Sequence, residues 1–125
     1  MTDKKTRGFE ELRVYQMSES LSDKIWEIVV GWNALPRDTV GKQLIRAVDS
    51  IGANIAEGAG RGSYQDNRRF IRIARGSLNE TRHGLRRAHQ RDLLTSEQTV
   101  ALKTILDQIA PSLNAYLNSI GPSSH

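Results

Sequence analysis

Residues 63–91 read S-Y-Q-D-N-R-R-F-I-R-I-A-R-G-S-L-N-E-T-R-H-G-L-R-R-A-H-Q-R. Phe70, Ile71, Ala74, Leu78, Leu85 and Ala88 recur at three- and four-residue steps, which is the period of an amphipathic helix and not of a strand. Ser63 with Asp66 three residues on marks the N-cap of that helix. Arg68, Arg72, Arg75, Arg82 and Arg86 follow the same period. At about 100° per residue they fall in a stripe roughly 80° wide, centred about 115° from the apolar face, with Asn79 in the gap. Like charges at these spacings repel by a few tenths of a kcal/mol per pair. An anionic partner relieves that repulsion, so the stripe points to a polyanion or, alternatively, to structural pairing with acids on neighbouring helices or subunits, for which Asp49, Glu57, Glu10 and Glu11 are available.

Working outward, three more amphipathic segments flank this one, and no stretch alternates with period two. The first, about 10–32, carries Val14, Leu21, Ile25, Ile28, Val29 and Trp32 and is closed by Gly31, Asn33 and Pro36. In the second, about 40–59, the apolar face is Val40, Leu44, Ala47, Val48, Ile51 and Ile55, and Gly58, Gly60 and Gly62 end it. Thr95 and Gln98 form a capping box for the last. Its near-heptad seam runs from Leu102 through Ile109, Leu113 and Leu117 to Ile120, with Pro111 expected to kink it or remove one backbone bond. Short connections between long helices imply antiparallel neighbours. The expected fold is all-α, an up-down-up-down four-helix bundle over 9–120, with flexible ends at 1–8 and 121–125.

At 125 residues with no cysteine, the chain is one domain without disulfides or thiolate chemistry. Residues 61–91 hold nine Arg against Asp66 and Glu80, so this segment is strongly basic while the remainder carries −3 of the overall +4. Arg in place of Lys suits bidentate phosphate contact. No apolar run is long enough for a membrane span and no signal-peptide pattern is present, so the expected setting is cytoplasmic and away from membranes.

Glu80 and His83 have the Glu-x-x-His spacing of di-iron bundles, but a second pair and two further inward Glu are missing. The expectation is no metal and no cofactor. His83, His89 and His125 lack a partner serine or carboxylate in a catalytic arrangement, so no enzymatic site is assigned. Gly58, Gly60 and Gly62 around Arg61 match neither dinucleotide nor Walker spacing and read as a tight turn.

In the second segment, Ile45, Gly52, Ala56 and Ala59 form a further row, and Trp26 and Val30 lie beside the main stripe of the first. Small and apolar residues on two sides mean a deeply buried helix or a subunit interface, and the latter is favoured. Asn54 and Glu57 are expected as buried hydrogen-bonding or interface groups.

Several strings resemble one family together. Phe9, Leu12, Val14, Tyr15 and Gln16 resemble an F-x-x-L-x-V-[YW]-Q opening; Q-L-I-R-A-V-D-S-I-G-A-N-I-A-E-G at 43–58 resembles its central signature; Phe70, Ile71, Ala74, Gly76, Ser77, Leu78 and Glu80 resemble F-[IL]-x-x-A-x-G-S-L-x-E. These are motifs of the four-helix-bundle proteins associated with intervening sequences in large-subunit ribosomal RNA genes. Gly52 and Asp49 depart from the pattern, standing where many relatives have proline and a small or apolar residue. The resemblance implies a homopentameric ring and kinship with the accessory variability protein of diversity-generating retroelements, which binds nucleic acid and a reverse transcriptase. It implies no enzymatic activity.

The leading expectation is therefore a non-enzymatic homo-oligomer that binds RNA or DNA backbones through Arg68, Arg72, Arg75, Arg82 and Arg86, with Arg61 and Arg69 assisting. The competing expectation is a scaffold whose basic face docks an acidic or reverse-transcriptase-like protein.

Overall fold

The computed structural model describes residues 8–122, so most of both expected flexible ends lies outside the described residues. Four helices carry the fold: α1 (Arg13–Val29), α2 (Lys42–Ala59), α3 (Tyr64–Gln90) and α4 (Ser96–Ser119). No strand occurs among the described residues. A 3-10 turn, Phe9–Glu11, precedes α1, and Leu12 in extended conformation separates the two. Each helix neighbours the next, and α4 closes back against α1.

The bundle is tied at both ends. Where α1 and α3 finish, the Trp32 indole donates to the Leu93 carbonyl at 3.0 Å. At the opposite end, Arg68 on the first turns of α3 donates to the Ile120 carbonyl just beyond α4, at 2.7 Å. The helix directions alternate as the short connections require.

The expected apolar faces meet in a single core. Leu21, Ile25, Ile51, Ile55, Ile71, Ala74 and Ile109 are essentially inaccessible to solvent. Ser77 and Thr81 are buried too, with hydroxyls satisfied locally: Thr81 donates to the Ser77 carbonyl at 2.8 Å, and Ser77 to Ser50 Oγ at 3.0 Å. Bonding of that kind keeps a polar group inside a helix pair from costing its full desolvation.

Close approach of α2 to α3 is set by two glycines. A Cβ on Gly84 would lie 2.8 Å from Leu44 Cδ2, and one on Gly58 would lie 2.7 Å from Asn67 Oδ1 and 3.0 Å from Phe70 Cβ. A larger residue at either place requires Leu44, or Asn67 and Phe70, to shift.

Both expected N-caps form. Ser63 Oγ accepts from the Asp66 amide at 3.1 Å. Thr95 and Gln98 exchange a reciprocal pair of bonds at 2.9 and 3.0 Å. Thr95→Ala is expected to lower stability by about 1 kcal/mol, read as a shift of the urea midpoint at constant slope.

Of the two expectations about prolines, one is revised. Pro36 does not stay outside helical structure: Ala34–Pro36 and the π-helical turn Arg37–Gly41 lead directly into α2. Proline is tolerated in a first turn because its missing N–H has no partner there anyway. Pro111 lies inside α4, which is continuous from Ser96 to Ser119, on its exposed side; having no N–H, it removes one backbone bond, as expected.

Candidate functional site

The nine arginines of the basic segment sort into three groups. Arg72, Arg75, Arg82 and Arg86 project from α3 and are exposed. None of the four pairs with a carboxylate among the described residues, where the ion pairs are Arg37–Asp38, Arg61–Glu57, Arg69–Asp66 and Lys103–Asp107. Only Arg75 has a fixed protein contact, donating to Asn114 Oδ1 on α4 at 3.3 Å. Arg86, His89 and Lys103 rim a crevice of about 230 Å³ between α3 and α4, floored by Leu85, Leu102 and Leu106. The stripe thus runs along the α4 side of α3, and Lys103 adds to it from the neighbouring helix.

Arg61, Arg68 and Arg69 are engaged at the α2–α3 end. Arg68 sits half-buried against the α4 C-terminus, where a positive charge complements the carbonyl end of the helix. Arg61 and Arg69 stack on Phe70, with guanidinium carbons 4.8 and 4.6 Å from the ring centroid. Each also holds an acid, Arg61 with Glu57 at 3.1 Å and Arg69 with Asp66 at 3.8 Å. Arg68→Ala is expected to cost about 1–2 kcal/mol through the lost charged hydrogen bond. Faster amide exchange confined to residues 117–120 would locate the loss.

Arg87 and Arg91 form the third group, joined by Arg46 from α2, and periodicity around the first stripe had not singled them out. With Gln43, Glu80 and His83 they surround an open groove of about 930 Å³ between α2 and α3, floored by Leu44, Ala47, Gly76 and Gly84. A second row on α3 was available as its signal: Gly76, Glu80, His83, Arg87 and Arg91 also follow three- and four-residue steps. Glu80 and His83 face this groove, and among the described residues no cluster of three or more metal-ligating side chains occurs. His125 lies outside the described residues.

The interface candidates on α2 are placed as follows. Gly52 packs inside the chain, since a Cβ would lie 2.9 Å from Ser18 Oγ and 3.3 Å from the Tyr15 ring. Ile45 is half-buried against the core and Ala56 is half-buried. Asn54 donates to the Ser50 carbonyl at 2.8 Å and to its hydroxyl at 3.0 Å. Glu57 is exposed and holds Arg61. Gly52 is thus accounted for by packing between α1 and α2, and Ile45 by its place against the core.

Trp26 differs: it is 56% exposed, with Val30 on the next turn 52% exposed. Nearby, Asp49 accepts a hydrogen bond from Ser22 across the α1–α2 surface. The Tyr15 phenol is held above its ordinary value, first by burial and then by the Glu19 and Glu10 carboxylates, consistent with a negative potential along α1.

The family model described as 23S rRNA-intervening sequence protein matches residues 10–115. The chain belongs to that family. The match takes in all three motif strings apart from Phe9, together with most of α4. Among solved structures, the chain is similar to a crystal structure of a protein of unknown function from the S23 ribosomal protein family of Bacteroides thetaiotaomicron VPI-5482. The two share 24% identity at a TM-score of 0.75 over 85% of this chain and 99% of that one, a likeness of fold. No curated protein matches the chain. Among the described residues no helix is long and apolar enough to cross a membrane.

Proposed function

We propose that this family member is a non-enzymatic, cytoplasmic homo-oligomer, a pentameric ring by the family resemblance, that binds RNA or DNA along the sugar-phosphate backbone. Arg72, Arg75, Arg82 and Arg86 are the principal contacts. The observation that supports this most directly is their exposure on one side of α3 without carboxylate partners among the described residues. From Arg72 to Arg86 the helix advances about 21 Å, about six base-pair rises of a duplex. Arg61 and Arg69 extend the track only where phosphate displaces their surface acids, and exposed pairs of this type hold with at most about 1 kcal/mol. Arg68 contributes charge from its fixed position.

The stripe lacks interleaved aromatic rings, so bases have no stacking platform and sequence preference is weak. Repetition of the stripe around an oligomer makes weak individual contacts effective together. A polarisation titration of single- and double-stranded oligonucleotides at two salt concentrations tests the proposal. Absence of binding at the lower salt would remove it.

The second reading, a scaffold for an acidic or reverse-transcriptase-like protein and kin to the retroelement accessory protein, draws on the same basic face. Charge reversal of the stripe that leaves oligonucleotide affinity intact but abolishes co-purification of such a protein would favour it.

A further inference from the structure

The groove between α2 and α3 is built unlike the stripe. Glu80 stands among Arg46, Arg87 and Arg91 without an ion pair among the described residues, and no Phe, Tyr or Trp lines the groove. Three arginines against one carboxylate leave the groove net positive, and Leu44 and Ala47 give it an apolar part, a combination that suits an acidic protein face bearing an apolar side chain. Its floor is small. Gly84 is explained by Leu44 packing against it, but a Cβ on Gly76 would meet nothing within 4 Å. A glycine inside a helix is conformationally costly, and nothing in the single chain uses the space it leaves. That open space leaves room for a side chain from another molecule.

The outer face of α1 has the complementary character. Glu19, Asp23, Trp26, Glu27 and Val30 fall within about 100° on the side away from the core. All five are exposed. Three acids lie on that face beside the exposed indole, and none is ion-paired to another described residue. A large exposed aromatic rimmed by one sign of charge is the composition of an interface centre.

Resting on the oligomeric reading above, we infer that the α1 face of one copy seats in the α2/α3 groove of the next, head to tail. Trp26 and Val30 lie over the Ala47–Gly76 floor, and Glu19, Asp23 and Glu27 meet Arg46, Arg87 and Arg91. Because the two surfaces differ, the contact is heterologous: each copy offers one face and one groove, and the assembly closes into a ring or extends. The arginine stripe on the α4 side of α3 is left open to solvent.

Two variants test this in combination. One carries Asp23→Lys with Trp26→Ala on the α1 face; the other carries Arg46→Glu with Arg91→Glu in the groove. Native mass spectrometry is run on the wild type, on each variant and on their equimolar mixture, with circular dichroism confirming helical content. Expected are an oligomeric wild type, monomers for each variant alone, and a one-to-one dimer from the mixture, which retains one intact face and one intact groove. Variants that stay oligomeric, or a mixture that stays monomeric, overturn this pairing while leaving the oligomeric reading in place. A monomeric wild type overturns that reading as well. Should the Trp26 variant lose helical signal, Glu19→Lys with Asp23→Lys, which removes only exposed charge, takes its place with the same expected outcomes.

Discussion

Replacing Arg72, Arg75, Arg82 and Arg86 together by glutamine is expected to flatten the salt dependence of oligonucleotide binding and to weaken it most where salt is lowest. Each arginine that neutralises one phosphate contributes about 0.7 to 0.9 to the slope of log K against log salt, so losing four lowers it by about 3. Over a fourfold rise in salt the wild-type contacts from these residues alone account for about a 60-fold loss of affinity, and the variant lacks that component. All four positions are exposed, so thermal stability is expected to hold or rise slightly as like-charge repulsion is relieved. An unchanged salt slope in a folded variant would assign binding elsewhere on the surface. The same experiment with Arg61 and Arg69 gives a smaller change, since both already hold acids and stack on Phe70.

Ile51→Ala is expected to produce the largest loss of stability, about 3–4 kcal/mol. Ile51 is 0% exposed in the middle of α2, the helix packed between α1 and α3. Truncation removes buried methyl groups where neighbouring Val48, Ile55, Ile71 and Ala74 belong to the same core and are held by rigid helices. The cavity cannot close without moving α2, which Gly58 and Gly84 keep in tight contact with α3. For a chain of this size the melting temperature is expected to fall by about 10–15 °C, with oligonucleotide affinity retained below the transition. A shift of only a degree or two in calorimetry would show that the site collapses freely and that the α2–α3 contact is looser than described.

Much of this architecture is legible residue by residue. Helical periodicity places Ile25, Ile51, Ile71 and Ile109 in the core because each helix must bury one face, and the caps at Ser63 and Thr95 are local hydrogen-bond chemistry. Helix entry was harder to read. Pro36 punctuates a chain in most settings, yet here it sits in the first turn of a helical segment that starts at Ala34, and Gly41 packs against Val29 and Trp32. The site was legible in part. Spacing identified which arginines share a side of α3, but Arg68 lies in the same stripe as Arg72 and differs only in having the α4 C-terminus beside it.

Local pattern, which is to say the period of apolar side chains and the chemistry of helix ends, sufficed for four helices, their order and the one-sided charge on α3, since each depends on contacts within a few residues of the chain. Whether a given guanidinium is free, capped or paired depended on what folding brings next to it: Ile120 for Arg68, Phe70 and Glu57 for Arg61, Asn114 for Arg75. The groove that joins Arg46 to Arg87 and Arg91 likewise exists only once α2 and α3 pack, because residues some forty positions apart share a surface through the closeness that Gly58 and Gly84 permit.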